Sequence, residues 1–183
     1  MDKLDIVTDE SGNKVVLLPE IIFSNKQNIN WNDVEDYLGK YVGELIEIAE
    51  TRDIIYIGNK FPDEYGGSSY TRKTKGARAK AKANAAQGIR EMVEIATDKV
   101  YRENHKEKHS EDVHNGWYYY VTRFAIPLYN NEKKTGEYNV YSACLVVNHA
   151  ANGKMYLYDV VGIKKKRVTH SRLSSSQVVQ NRF

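Results

Sequence analysis

Three runs of β-branched and aromatic residues follow one another in the last third of the chain and determine its fold class. They cover residues 117–126, 138–147 and 154–163. Such residues favour strands, and Pro127 is expected to end the first one. An Asn152-Gly153 pair separates the last two runs, which is a strong hairpin signal. The sequence therefore predicts a C-terminal antiparallel meander, with residues 129–137 as the loop between its first two strands.

A long basic helix is predicted before the meander, from about residue 75 to residue 112. Alanines with high helix propensity alternate there with lysines and arginines. Apolar residues at spacings of four, three and four mark one face, and Gly88 indicates a kink or a break into two helices. Asn115-Gly116 is a typical helix end. We therefore expect an α+β fold in which this helix packs on the meander.

The N-terminal half predicts a helix and a short hairpin. Asn30 or Asn32 can cap a helix whose apolar positions follow helical spacing from Trp31 onward. Two apolar runs, 45–48 and 54–57, predict short strands around a turn, with a helix continuing to Ala49 as the alternative. Residues 59–69, which contain proline and two glycines, predict a loop.

The length of 183 residues suits one domain. We expect a weakly patterned segment over residues 1–28, a single α+β domain over 29–168, and a polar tail over 169–183. The acidic N-terminus has no apolar core for a signal peptide, and no run approaches the ~18 apolar residues of a membrane span. The expected location is the cytoplasm of a bacterial host cell, without membrane contact.

Charge is distributed unevenly along the chain. Residues 1–64 carry 6 basic against 14 acidic side chains, a net −8, whereas residues 65–183 carry 21 against 10, a net +11. This asymmetry suggests RNA or DNA as a partner. The alternative is that the acidic part packs on the basic part, or that both are solvated faces. The candidate nucleic-acid-binding residues are Lys75, Arg78, Lys80, Lys82, Lys106, Lys164, Lys165 and Arg167.

No cofactor or metal site is predicted. His105 and His109 have the i, i+4 spacing of zinc ligands, but no third ligand can be named. Gly66-Gly67 lacks the lysine spacing of a phosphate-binding loop. The single cysteine, Cys144, sits in an apolar run, where a buried and inert thiol is expected.

Five segments together resemble one domain type of phages and mobile elements, the large polyvalent-protein-associated domains. That group is placed with the barnase–EndoU–colicin–RelE-like nuclease fold. The resemblance covers most of the chain, from about residue 37 to 166, and it implies metal-independent RNA cleavage by polar groups on the sheet and the adjoining helix. The segments are 101–109 (YRENHKEKH), 116–118 (GWY), 123–127 (RFAIP), 138–140 (YNV) and 153–159 (GKMYLYD).

Candidate catalytic residues follow from the chemistry of RNA cleavage, which needs an acid, a base and cations. His105 and His109 would share one helical face, with Lys108 beside them, and histidine suits both proton transfers. Arg123, on the next strand, could contact a phosphate or stack on neighbouring rings. The alternative reading of the histidines and lysines is a helix C-terminus that favours positive charge.

The sequence thus predicts a phage- or mobile-element-derived domain of RNase-like fold that binds nucleic acid. It leaves open whether the domain also cleaves RNA without a metal. One alternative is a non-catalytic binding module that contacts host or phage proteins. Another is a toxin domain with an immunity partner.

Overall fold

The computed structural model describes residues 2–24, 28–103, 115–166 and 172–173. The described helices are α1 Trp31–Leu38, α2 Phe61–Gly67, α3 Ser69–Lys73, α4 Gly76–Ala85 and α5 Ile89–Glu94. The described strands are β1 Ile6–Thr8, β2 Lys14–Leu17, β3 Leu45–Glu47, β4 Ile54–Tyr56, β5 Thr97–Arg102, β6 Trp117–Asn130, β7 Lys133–His149, β8 Met155–Lys165 and β9 Arg172–Leu173.

These strands form one strongly curled, half-barrel sheet in the order β1-β2-β6-β7-β8-β4-β3, with β5 beside β6 and β9 beside β7. The strands β6, β7 and β8 pair antiparallel in chain order, whereas β2–β6 and β4–β8 are parallel. Because β6 and β7 are long, one edge of each has room for two short partners. The α+β class is confirmed, and the sheet is mixed and extends beyond the predicted meander.

The first hairpin of the meander is longer than predicted. Strand β6 continues past Pro127, with an irregular register between Pro127 and Tyr129. Asn131 and Glu132 then form the turn, with φ of +48° and +69°. A two-residue turn with both φ angles positive matches the right-handed twist of a hairpin, so the strands can pair up to it. The predicted strand end at Pro127 and the predicted loop over 129–137 are therefore wrong.

The predicted long helix is also wrong beyond residue 94. Helix α4 is followed by a 3₁₀ turn, Ala86–Gly88, and by α5, after which Thr97–Arg102 form strand β5. The break falls at Gly88, where an added Cβ would lie 3.1 Å from Leu18 and 3.2 Å from Val16. The strand has an edge position on β6, where Tyr101 pairs with Tyr118, and cross-strand aromatic pairs stabilise sheets. Predicted helical residues 104–112 lie outside the described residues.

The N-terminal helix and short hairpin occur as predicted. Helix α1 begins after Asn30, whose side chain accepts a hydrogen bond from the Asn32 backbone N–H, and β3 pairs antiparallel with β4. The loop predicted over 59–69 is wrong, because α2 and α3 occupy most of it. Pro62 lies in the first turn of α2, where a missing N–H costs nothing.

The main core lies between the helices and one face of the sheet, and it includes Val34, Phe61, Ile89, Tyr120 and Leu145. A smaller apolar cluster lies on the other face, where β1 and β2 pack near Ala125 and Val140. In the part of the chain that the structure describes, every helix is too short or too polar to cross a membrane.

Candidate nucleic-acid interface

Several cations in the described ranges have an acidic partner within the protein. Six of them form ion pairs: Lys3–Glu94, Arg52–Glu47, Lys82–Asp159, Arg90–Glu44, Lys99–Asp53 and Lys166–Asp9. Residues 72–80 differ, because none of their five cations forms an ion pair with a described residue. The sequence has no acidic residue between Glu64 and Glu91 that could neutralise them. Among the described residues, this segment is therefore a continuous stretch of positive charge without an ion pair.

The segment bends sharply between two helices, which spreads its cations over one corner of the protein. Ser68 caps α3 by accepting a hydrogen bond from the Thr71 backbone N–H at 3.1 Å. Thr71 in turn donates to the Tyr65 carbonyl at 2.6 Å. Helix α4 then begins at Gly76, whose φ of +62° suits glycine. The cations project from α3, from the turn and from the first turns of α4.

A hydrogen bond connects helix α3 to the basic end of strand β8. The Tyr70 hydroxyl, on α3, accepts a hydrogen bond from the Ile163 backbone N–H at 2.9 Å. This hydrogen bond connects α3, which carries Arg72, to the end of β8, where Lys164 and Lys165 are exposed. Lys166 is not part of this surface, because it is paired with Asp9 at 2.7 Å. We call the resulting set of seven unpaired cations the basic corner: Arg72, Lys73, Lys75, Arg78, Lys80, Lys164 and Lys165.

A cleft of about 510 Å³ opens beside the basic corner, between the start of α1 and the α3–α4 turn. Its walls carry three cations and a half-buried indole, together with hydroxyl groups. Thr74 donates its hydroxyl proton to the Tyr70 carbonyl at 2.7 Å, which holds that wall in place. None of the described lining residues is acidic. The lining residues that matter here are Trp31, Thr71, Arg72, Thr74, Lys75 and Lys80.

Lys82 is not available to a nucleic acid, which corrects the prediction for that residue. Its side chain is 0% exposed, and its Nζ lies 2.5 Å from Asp159 Oδ1. Burial is the largest effect on both groups: it lowers the pKa of Lys82 and raises the pKa of Asp159. Because alanine and lysine alternate along α4, the sequence pattern does not indicate which lysine faces the core. The sequence prediction therefore counted a buried ion pair as surface charge.

Arg123 lies on the middle of β6, opposite Ser142 of β7, which in turn pairs with Lys164 of β8. Its side chain is half-buried, and its Nε is buried without a hydrogen-bond partner in the described part of the chain. Trp117, six residues earlier, begins the strand, so Arg123 lies about 20 Å along β6 from that end. The other predicted catalytic residues, His105, Lys108 and His109, lie outside the described residues, as do Lys106 and Arg167. Tyr101, within the predicted long helix, belongs to strand β5.

A polar cluster connects the turn between β3 and β4 to strands β5 and β6. Asp53 Oδ2 accepts hydrogen bonds from Tyr120 at 2.7 Å and Thr51 at 2.8 Å, and it pairs with Lys99 at 2.9 Å. Burial raises the pKa of Asp53, but these three donors together outweigh burial and hold it below its ordinary value. The cluster neutralises its own charges, so we interpret it as structural.

Cys144 and His149 are two other described side chains of reactive type. Cys144 is half-buried, and burial raises the pKa of its thiol, which keeps it protonated. His149 stacks beside Tyr118 with ring centroids 5.7 Å apart, and its Nε2 lies 3.2 Å from the Gly153 carbonyl. Within the described ranges, no three His, Cys, Asp or Glu side chains group as a metal site.

No protein-family model, curated protein or solved structure matches this chain. The resemblance to the phage nuclease-fold domains therefore stays a prediction. Sequence reasoning also missed Trp31 as a site residue, since its spacing with Val34 and Leu38 is that of an ordinary apolar helix face.

Proposed function

We propose that this domain binds nucleic acid through the basic corner. The observation that supports the proposal is the contrast in pairing: six other cations are paired with acids, whereas the seven of the basic corner are not. Leaving like charges together costs electrostatic free energy, which a polyanionic partner would recover. Phosphate groups are such a partner, and they bind by releasing condensed counterions.

The expected strength of the salt dependence can be estimated from the size of the corner. Helix α4 is 10 residues long, about 15 Å at 1.5 Å per residue, so its cations can reach several successive phosphates. Contact with about five phosphates gives a slope of log K against log salt near −4.5 on duplex DNA and −3.5 on a single strand. Affinity should then fall about 100-fold or more between 50 and 200 mM salt.

The test is binding of labelled mixed-sequence RNA and DNA across this salt range, by fluorescence anisotropy. The variant Lys75→Glu/Lys80→Glu should weaken binding and flatten the slope by about 2. The matched control is Lys14→Glu/Lys133→Glu, which changes the net charge equally at two exposed lysines outside the corner. Affinity that is indifferent to salt would contradict the proposal. So would a control variant that loses as much affinity as the corner variant.

Cleavage of RNA without a metal is proposed as a further activity of the same domain, with His105 and His109 as acid and base, and with Lys108 and Arg123 as phosphate contacts. The chemical suitability of these side chains supports it, together with the unbonded Nε of Arg123. The test is incubation with labelled RNA in EDTA, beside His105→Ala/His109→Ala. Loss of ~10²-fold or more in rate, with an unchanged melting temperature, is expected of the variant. If the wild-type protein binds RNA but does not cleave it, the proposed cleavage activity is contradicted.

A further inference from the structure

We propose that the cleft beside the basic corner holds one unpaired nucleotide, with its base on Trp31 and its phosphate on Lys75 and Lys80. The domain would then prefer single strands to duplexes. This inference rests on the proposed function, since it names the form of nucleic acid that the same surface selects.

The position of Trp31 supports the base contact. Trp31 is the first residue of α1, directly after the Asn30 cap, so the helix start holds its backbone in place. Its half-buried ring packs against the main core and also lines the cleft. Because the protein already supports the ring, a base can stack on it with little ordering cost. Stacking on a fixed aromatic ring is a usual way of holding single-stranded bases, and it tolerates any base sequence.

The charge of the cleft supports the phosphate contact. Arg72, Lys75 and Lys80 line it, and the described lining residues include no acid. Ring and cations face one space, which is how a nucleotide is arranged: an apolar base at one end and a phosphate at the other. The volume of about 510 Å³ is also within the usual range of small-ligand pockets, ~300–1,000 Å³.

The geometry distinguishes single strands from duplexes. In a duplex the bases are stacked on each other, so a ring at the wall of a cleft cannot reach a base face without extrusion of the nucleotide, which costs unstacking and unpairing. Phosphates are accessible in both forms. Duplexes should therefore use the basic corner alone, while single strands use the corner and the cleft together.

The first experiment isolates the fluorescence of Trp31. The chain has two tryptophans, so Trp117→Phe leaves Trp31 as the single reporter. A 12-nucleotide oligo(dT) should quench its emission, and an abasic strand with the same number of phosphates should bind with much less quenching. Equal quenching by both strands would overturn the base contact. If Trp117→Phe does not fold, ¹⁹F NMR of 5-fluorotryptophan-labelled wild type resolves the two indoles and applies the same criterion.

The second experiment measures the preference for single strands. Trp31→Leu keeps an apolar side chain and should weaken oligo(dT) binding by roughly 5- to 150-fold, the usual range for losing one stacked base. Duplex binding and the salt slope should stay within about twofold of wild type because the cations remain. Trp31→Tyr should restore most of the preference, which a merely structural role of the indole would not predict.

The outcomes separate this inference from the proposed function. Salt-dependent binding of single strands and duplexes with equal affinity, unchanged in Trp31→Leu, would overturn the inference and leave the proposed function intact. A wild-type protein that binds neither form would overturn both. A selective loss of single-strand affinity in Trp31→Leu, restored in Trp31→Tyr, would support both.

Discussion

Replacing Lys82 by methionine should destabilise the protein strongly, and by an amount that depends on pH. Lys82 and Asp159 are 0% and 2% exposed in their side chains, and their charged atoms are 2.5 Å apart. The Asp159 carboxylate also accepts a hydrogen bond from the Val160 backbone N–H at 2.8 Å. Lys82→Met preserves the shape of the side chain but leaves this carboxylate in the core without its cation. Breaking a buried pair in this way costs ~3–5 kcal/mol.

Protonation of the Asp159 carboxyl group in the variant limits how much stability can be lost. At pH 7 the protonation of a carboxyl with a pKa near 3.9 costs about 4 kcal/mol, at ~1.36 kcal/mol per pH unit. The loss of stability in Lys82→Met should therefore approach about 4 kcal/mol at pH 7. In the variant the folded-state pKa of Asp159 is raised above the unfolded value. The protonated form then favours folding of the variant at low pH, and the loss should shrink between pH 7 and pH 5 by at most about 2.7 kcal/mol, the limit for one proton at ~1.36 kcal/mol per pH unit.

The assay is urea unfolding followed by circular dichroism at both pH values, with wild type as the reference. Lys80→Met, two residues earlier on the same helix, removes a lysine from a partly exposed position and should change stability by no more than about 0.5 kcal/mol. Lys82→Met/Asp159→Asn removes both charges and should recover to within about 2 kcal/mol of wild type, since only a hydrogen-bond deficit remains. A Lys82→Met variant within 1 kcal/mol of wild type at pH 7, or equally unstable at both pH values, would refute the reasoning.

Two further predictions concern other polar side chains that make several hydrogen bonds. Asp53→Asn should cost ~1.5–3 kcal/mol at neutral pH, because it weakens hydrogen bonds made to a charged group. The folded-state pKa of Asp53 is depressed, so its contribution is present above the unfolded pKa near 3.9 and is lost as pH falls through the folded value; unfolding at pH 7 and pH 3 should show the difference from wild type narrowing. Asn84→Ala should cost ~2–4 kcal/mol, because Asn84 bonds the backbone of Ile22 and Phe23 and the Lys80 carbonyl. The same variant should weaken oligo(dT) binding, since Asn84 holds Phe23 and the next residue, Ser24, lines the cleft. Unchanged affinity in a folded Asn84→Ala protein would contradict that coupling.

Local patterns in the sequence were sufficient to place several elements. Helix α1 follows its cap at Asn30, the β3–β4 hairpin follows two apolar runs, and the three long strands follow their β-branched and aromatic residues. In each case the determining interaction lies within a few residues of chain. Caps, turns and side-chain periodicity act at that range.

Tertiary packing decided the elements where local signals compete. Residues 97–102 continue a helical spacing, yet β6 offers them an unpaired edge and an aromatic partner at Tyr118, so they form a strand. Residues 61–73 carry proline and glycine, yet they form α2 and α3, and at Gly66 the Glu35 side chain of α1 occupies the space that a Cβ would take. The gain from burying backbone and side chains against a neighbour outweighs propensity differences of less than about 1 kcal/mol per residue.

For the candidate site as well, the sequence determines some features and the tertiary structure determines others. Composition alone identified a surplus of positive charge after residue 64, because charge can be counted without knowing the fold. Only the structure shows which cations are available: Lys82 is neutralised in the core by Asp159, 77 residues away, while Lys75 and Lys80 remain unpaired. Only the structure also places Trp31 across a cleft from those lysines. Pairing and proximity between distant residues depend on how the chain packs, and neither is encoded in a local stretch of sequence.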